Sequence, residues 1–365
     1  MTQKKLILFM PSIEGGGVEK NFFIISNYLA KKLDKTILIT AEKNLSKKIK
    51  DIKIIYPKSD FWRNKGRLRK YLICIYLLIK TLVMNKNTFV FSFQANLYAI
   101  IICKLFRKKI ISRSNSSPSG WSKNLIKNLI YKIGLNLADK LIVNSIEFKN
   151  EMKKKFSVNS SHIYNPLNKK EILNLSKIKV KKIYPKKVLK IINVGRLVDQ
   201  KDQMTLLKAV NEIKGLCKFK LILIGRGVNH IKIKNFIKFN NLNKLVKIFY
   251  TSNPFPYMKQ ADILILSSLF EGLPNVLLEA ITLKKFVISA SCKTGPKEIL
   301  DNGKGGILFK PKDFKSLAEK IIKYDKNKFY LNKKTKFAFK RLDRFEFKKN
   351  LDQYLKLIKI VQTTK

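Results

Sequence analysis

Acidic residues are scarce in this chain of 365: 24 Asp and Glu stand against 77 Lys and Arg, a net charge of +53. Arginine supplies only nine of those cations, and histidine occurs only at His162 and His230. Nucleic-acid readers concentrate arginine and aromatics on a recognisable module. Here lysines run from end to end beside abundant Asn and Ile, the signature of an AT-rich genome, so no specific nucleic-acid partner is expected. The remaining charge favours anionic lipid or anionic substrates. Cysteine is limited to Cys74, Cys103, Cys217 and Cys292, too far apart for a metal knuckle or a disulfide frame, which fits reduced core thiols of a cytoplasmic protein. No Asp-x-Asp pair exists and the two histidines are widely separated, so neither a metal nor another cofactor is expected. Long apolar runs are also missing. The first, Leu6 to Met10, ends at Pro11 and is shorter than the roughly 7–15 residues of an export signal. The longest, Tyr71 to Ile79, falls far short of the about 20 residues that span a bilayer.

What the chain does have is alternation. Short apolar strands (Leu6–Met10, Thr36–Thr40, Ile52–Tyr56, Phe89–Phe93, Ile110–Ser112, Lys140–Asn144, Ser161–Tyr164) interleave with helical patterns at about 67–84, 95–106, 122–137 and 145–155. Near-continuous apolar strands with helices between them predict a parallel sheet covered on both faces. The pattern breaks at Asn165-Pro166 and turns lysine-rich to Lys187. A second set of strands begins at Val188–Val194 and recurs at Lys220–Ile224, Val246–Phe249, Ile263–Leu266, Phe286–Ser289 and Gly306–Phe309. This predicts an α/β chain of two doubly wound, Rossmann-like domains facing a cleft: 1–168, a linker 169–187, 188–340, and a terminal helix over 341–365 that packs back toward the first domain.

The chemistry-bearing residues gather in the second half. Strand Val188–Val194 runs into Gly195 and Arg196, with Lys201 at the opening of the next helix. Two cations at the carboxyl end of a parallel strand make an anion site, although two solvated charges are the plainer alternative. After strand Ile263–Leu266 comes Leu269-Phe270-Glu271-Gly272-Leu273-Pro274-Asn275-Val276-Leu277-Leu278-Glu279-Ala280. Pro274 suits a first helical turn, and Gly272 lets backbone approach a ligand. Glu271 in the loop and Glu279 on the helix suit sugar hydroxyls; a capping Glu271 and a surface Glu279 are the alternative. In the first half, Gly15-Gly16-Gly17 follows the first strand, a phosphate-approaching loop or simply a turn. It is no Gly-x-Gly-x-x-Gly fingerprint, so a nicotinamide site is not supported. Arg113-Ser114-Asn115 follows the Ile110–Ser112 strand and is expected to face the cleft.

Gly195-Arg196-Leu197…Lys201 followed by Glu271-Gly272-Leu273-Pro274…Glu279-Ala280 resembles the donor-site signature of glycosyltransferase family 4 (group 1), retaining enzymes of GT-B fold, across about 187–330. Leu223-Ile224-Gly225-Arg226-Gly227, Ala261-Asp262-Ile263 and Gly295-Pro296-Lys297-Glu298-Ile299-Leu300 support it. The resemblance implies that Arg196 and Lys201 bind the donor diphosphate, that Glu279 holds the ribose, and that Glu271 holds the transferred sugar. It also implies that the backbone of Leu273, Pro274, Asn275 and Val276 forms the phosphate-facing turn, with Gly16, Gly195 and Gly225 beside the donor and residues 248–251 near the base. Gly15, Gly17, Arg113 and Asn115 would face the acceptor. Many relatives carry a histidine near Arg113–Asn115, and none stands here.

The implied function is metal-independent, front-face sugar transfer from a nucleotide-diphosphate sugar to a lipid-linked or surface-polysaccharide acceptor of bacterial type. The Gly295-Pro296-Lys297-Glu298-Ile299 segment is similar to that of N-acetylhexosamine transferases and hints at a UDP-linked donor. A nucleotide-sugar epimerase of the same architecture and a basic nucleic-acid-binding protein are the competing readings. Arg63, Lys65, Arg67, Arg69 and Lys70, just before the apolar helix, suggest a peripheral contact with an anionic membrane; an ordinary helix buried on the sheet is the alternative.

Overall fold

Strands that are apolar on both faces need cover on both, and helices between most of them supply it. The computed structural model describes residues 5–363 apart from 14, 34, 44, 46–47, 63–65, 116–117, 119–120 and 122–123. Arg63 and Lys65 therefore lie outside the described residues. The chain divides into two compact units, residues 1–166 with 348–365, and residues 167–347.

The first unit runs β1 (Lys5–Phe9), α1 (Gly17–Ala30), β2 (Thr36–Ile39), β3 (Lys53–Ile55), α2 (Arg67–Met84), β4 (Thr88–Ser92), α3 (Asn96–Leu105), β5 (Ile110–Arg113), α4 (Leu125–Asn136), β6 (Lys140–Val143), α5 (Ile146–Phe156) and β7 (Ser161–His162). Its seven strands are parallel, in the order β3-β2-β1-β4-β5-β6-β7. Because side chains alternate along a strand, Ile7, Phe9 and Val90 enter one core with the inner faces of α2, α3, α4 and α5. On the other face Phe22 of α1 meets Phe93 edge-on at 5.0 Å.

The second unit runs α6 (Lys169–Leu175), β8 (Leu189–Val194), α7 (Gln203–Glu212), β9 (Phe219–Ile224), α8 (His230–Phe239), β10 (Val246–Phe249), α9 (Phe255–Gln260), β11 (Ile263–Leu266), α10 (Asn275–Thr282), β12 (Phe286–Ala290), α11 (Pro296–Ile299), β13 (Ile307–Phe309), α12 (Phe314–Lys326) and α13 (Lys328–Lys340). The strand order β10-β9-β8-β11-β12-β13 is the doubly wound 3-2-1-4-5-6 arrangement, all parallel, with its switch point between β8 and β11. The last helix, α14 (Phe347–Thr363), rejoins the first unit, where Tyr354 packs on Phe91 at 6.2 Å.

The lysine-rich stretch 169–187 is built into the second unit. Asn168 caps α6 by accepting from the Glu171 amide at 3.1 Å, and Ile172 is buried. The Ile183 amide donates to Gln260 at 3.1 Å, and the Tyr184 hydroxyl to the Ile191 carbonyl at 3.0 Å. Seven helical residues burying one side chain leave almost no apolar period to read, which is why lysine density alone suggests a tether.

Two cations expected at surfaces are buried. Arg113 ends β5 with no exposed surface; its Nε donates to the Tyr354 hydroxyl at 2.9 Å and one terminal nitrogen to Asn165 Oδ1 at 2.6 Å. Its expected role toward an acceptor therefore gives way to fastening α14 and the residue before Pro166 onto the sheet. Lys70 is buried against Glu42 at 2.7 Å, so it is not one of the cations that α2 offers to a membrane.

Two tests follow from these buried charges. Tyr354→Phe removes an acceptor from a guanidinium cut off from water, and should destabilise the protein by about 1–3 kcal/mol, read as a lower urea midpoint. Asp139, at the head of β6, accepts from Lys104 at 2.7 Å, from the Ile110 amide at 2.8 Å and from Lys109 at 3.2 Å. Burial alone would raise its carboxyl, yet these bonds outweigh it and hold it below the ordinary range. A depressed carboxyl stabilises the fold fully above its unfolded pKa, and that contribution disappears as pH falls through the folded value. Asp139→Asn should cost about 1–2 kcal/mol at pH 7, with the Tm gap to wild type closing below about pH 4.

Candidate active site

The β8 and β11 ladder is short. Ile191 and Ile192 pair with Ile263 and Leu264, after which the Asn193 side chain bridges to the Ile265 carbonyl at 2.8 Å. Beyond that bridge the chain leaves β8 for the β9 side. The amides of Gly195 and Leu197 donate to the carbonyls of Ile224 (3.0 Å) and Arg226 (2.9 Å). These two segments touch backbone to backbone: a Cβ on Gly225 would lie 1.9 Å from the Gly195 carbonyl oxygen. Gly225, expected beside a donor, is thus required first by this close approach.

Arg196 projects from the first turn after β8 and is exposed; among the described residues its guanidinium has no hydrogen-bond or ion-pair partner. Its carbonyl is held by Gln203 Nε2 at 2.9 Å. Lys201 ends a 3₁₀ turn over Asp199–Lys201, and Asp202, in the left-handed region at φ 44, caps α7 by accepting from the Thr205 hydroxyl at 2.6 Å and its amide at 3.3 Å. That sharp turn brings the Lys201 stem over Gly195, at van der Waals distance from where a Cβ there would stand. The Lys201 ammonium then reaches Glu271 Oε1 at 2.5 Å, with the carboxylate almost wholly buried.

Three loops converge on this pair. The loop after β11 is stitched to the 3₁₀ turn by the Leu269 amide to the Gln200 carbonyl (2.9 Å) and by Gln200 Nε2 to the Phe270 carbonyl (2.9 Å). Ser267 Oγ holds the Lys201 carbonyl at 3.0 Å, and Thr294 Oγ1, in the loop after β12, holds the Glu271 carbonyl at 2.5 Å. Gly295, at φ +90, lets that third loop close in: a Cβ there would sit 2.3 Å from the Gly272 carbonyl oxygen and 2.8 Å from Pro274 Cδ. Helix α10 starts at Asn275, so Pro274 occupies the capping position rather than the first turn. Leu273 is buried, Val276 is partly buried, and Glu279 lies in the second turn, also partly buried.

Gln203, Ser267 and Thr294, each gripping the carbonyl of one of Arg196, Lys201 and Glu271, escaped sequence reading. Their only signal is polarity inside segments that are otherwise buried. At the ends of β9 and β10 a further feature appears, the Arg226 guanidinium 4.6 Å over the exposed Tyr250 ring. In the first unit, Gly15 is exposed at φ +81, Gly16 precedes α1 and Gly17 begins it, with buried Glu19 in the first turn. The Asn115 amide donates to the Phe93 carbonyl at 3.0 Å. Among the described residues no group of three or more His, Cys, Asp or Glu is placed to hold a metal ion.

The arrangement in the second unit offers an unpaired cation, a shared ammonium and a carboxylate at a sheet's switch point, where parallel α/β sheets bind ligands. The Lys201–Glu271 ion pair joins the two loops through a charge-assisted hydrogen bond, a stronger kind than a neutral one. The glycines test the framework. Gly225→Ala should cost about 1–3 kcal/mol through overpacking against backbone. In Gly195→Ala the new Cβ meets the Lys201 methylenes at 3.8 Å, ordinary contact, and the change should stay within about 0.5 kcal/mol. Urea unfolding of the two variants checks the contrast.

Residues 176–341 match the family model of glycosyl transferases group 1. An uncharacterized glycosyltransferase of Methanocaldococcus jannaschii is 32% identical over 248 residues; the alignment spans 58% of this chain and only 59% of that relative. A Campylobacter jejuni N-acetylgalactosamine-N,N'-diacetylbacillosaminyl-diphospho-undecaprenol 4-alpha-N-acetylgalactosaminyltransferase is 24% identical over 96% of this chain and 99% of its own. Among solved structures, Anabaena HepE in complex with UDP-glucose superposes with a TM-score of 0.77 at 16% identity, over 98% of this chain and 99% of that one. Residues 176–341 are thus similar to group 1 glycosyl transferases, and the chain that carries them has the GT-B fold.

Proposed function

We propose that the protein is a retaining glycosyltransferase of family 4. It moves a hexose or N-acetylhexosamine from a UDP-linked donor to a lipid-linked or surface-polysaccharide acceptor at the cytoplasmic face of a membrane, without a metal. The observation that carries this reading is the free Arg196 guanidinium beside the Lys201–Glu271 pair at the switch point of the second sheet. The HepE structure contains UDP-glucose, and the Campylobacter relative is named for a transfer to an undecaprenol-linked saccharide.

In this reading the donor diphosphate lies against Arg196 and Lys201, with the backbone amides of Leu273, Asn275 and Val276 turned toward phosphate. Glu271, its second oxygen left for other partners, takes a hydroxyl of the transferred sugar. Glu279 holds the ribose, and the base lies near residues 248–251, where Tyr250 offers a ring face. Gly15, Gly17 and Asn115 of the first unit take the acceptor. Transfer proceeds on one face of the sugar: the bond from the anomeric carbon to the phosphate oxygen breaks as the acceptor oxygen bonds that carbon. The acceptor proton passes to the departing phosphate oxygen.

Magnitudes rank the contributions. A unit charge pair at 4 Å in a partly closed site is worth about 4 kcal/mol, whereas a helix terminus adds about 0.3–1 kcal/mol. The two cations therefore dominate stabilisation of the leaving group.

A panel of nucleotide sugars tested by thermal shift identifies the donor, since a ligand at 100 times its Kd stabilises by about 2.7 kcal/mol. With that donor, Arg196→Ala should lower kcat/KM by the equivalent of about 2–4 kcal/mol. Near-wild-type kcat/KM in the variant would refute the assignment.

A further inference from the structure

The helical layer on one face of the first sheet is turned inside out for a soluble surface. Of the twelve residues of α4 only Gly134 and Leu135 are buried. Leu125 is 83% exposed and Ile126 71%, and Leu129, Ile130 and Ile133 continue the exposed stripe at helical spacing. An ordinary surface helix places such a stripe against the core. Helix α3 lies between α2 and α4; it approaches α4 so closely that a Cβ on Gly134 would meet Leu97 at 2.6 Å. It exposes Tyr98, Ile101 and Leu105 at intervals of three and four. Beside it α2 exposes Leu72, Tyr76 and Val83. The inner faces of all three helices enter one core, so the three stripes share the opposite, outward side.

The charge of this layer has one sign. From Phe61 to Ala138 the sequence contains no Asp or Glu in 78 residues, where the chain's own average would place about five, and it contains 15 Lys and Arg. Arg69, Lys80, Lys127 and Lys132 are exposed among the apolar stripes. Phe61, exposed, stands edge-on to Trp62 at 5.4 Å just ahead of α2.

We infer that the outward face of α2, α3 and α4 docks on an anionic phospholipid bilayer, with α4 entering the headgroup boundary. An apolar patch of this breadth marks an interaction surface. Cations spread through it, with stems that can lie along the acyl boundary while the ammonium stays at the phosphates, fit a lipid surface. A second copy of this chain would bring one acid-free cationic face against another, which like-charge repulsion opposes. This deepens the reading of a lipid-linked acceptor and rests on it only for its purpose, because vesicle binding requires neither donor nor acceptor.

The test is cosedimentation of the full chain with vesicles of phosphatidylcholine alone and with about one third phosphatidylglycerol. The protein should pellet with the anionic vesicles and stay in solution with the neutral ones. The triple change Ile126→Ser, Ile130→Ser and Ile133→Ser, which keeps every charge, should weaken binding at least about tenfold while leaving the thermal shift with nucleotide sugar intact. The emission of an Ile130→Trp variant should shift to the blue on adding anionic vesicles. Wild-type protein left in the supernatant, an unmoved emission, or a dimer in sedimentation velocity that the triple change dissolves would each overturn the proposal. Failure of vesicle binding with sugar transfer retained would remove this surface alone; binding without transfer would remove the enzymatic reading alone.

Discussion

A lysine–glutamate pair 2.5 Å apart, Lys201 with Glu271, governs the geometry of the second unit's candidate site. It closes the gap where β8 and β11 stop pairing, and it does so in surroundings dry enough for the bond to define the distance between two loops. Every other feature of the site is referred to it. Ser267 fastens the lysine's carbonyl, Thr294 the glutamate's, and the bare backbones at Gly225 and Gly295 let the flanking loops come into contact. The pair is neutral in sum. Arg196 adds the uncompensated positive charge beside it, held by its backbone and exposed at its head.

Scarcity of acid makes each carboxylate informative. Glu271, Glu42 and Asp139 each neutralise a lysine at a place where two elements meet. Glu42 anchors the start of α2, and Asp139 ties α3 and β5 to the head of β6. With so few anions committed to the interior and the joints, most of the net charge of +53 stays on the exterior, where solvent and salt screen it. The layer formed by α2, α3 and α4 is the extreme case, since it combines that cationic exterior with apolar stripes facing outward.

The two sheets solve the same problem in the same order, and each opens a switch point at its first strand. In the first unit the polar side chains near that point are spent on structure. The Ser12 amide donates to Gln94 at 3.0 Å, Ser92 and Ser112 share a hydrogen bond at 2.8 Å, and Arg113 is sealed beneath Tyr354. In the second unit the equivalent positions carry the charged groups. One topology thus leaves an ion pair and an exposed guanidinium in one unit and a hydrogen-bonded polar seam in the other.

Much of this was legible in the sequence. The apolar strands and the helix at 67–84 are set by local pattern, because strand and helix periods act over a few residues, whereas Arg196, Lys201, Glu271 and Glu279 stand out by resemblance to a family signature. Which partner a charge finds is decided over dozens to hundreds of residues. Arg113 and Tyr354 are 241 positions apart, and Lys201 and Glu271 are 70 apart. Local pattern could not tell that Arg113 would be entombed, that Lys70 would be paired, or that 169–187 would fold into the second unit. Nor could it orient α4, whose composition suits a core helix. Only the assembled sheet, by covering its face with Leu135 and the inner sides of α2, α3 and α5, decided that the remaining apolar residues of α4 would meet the outside.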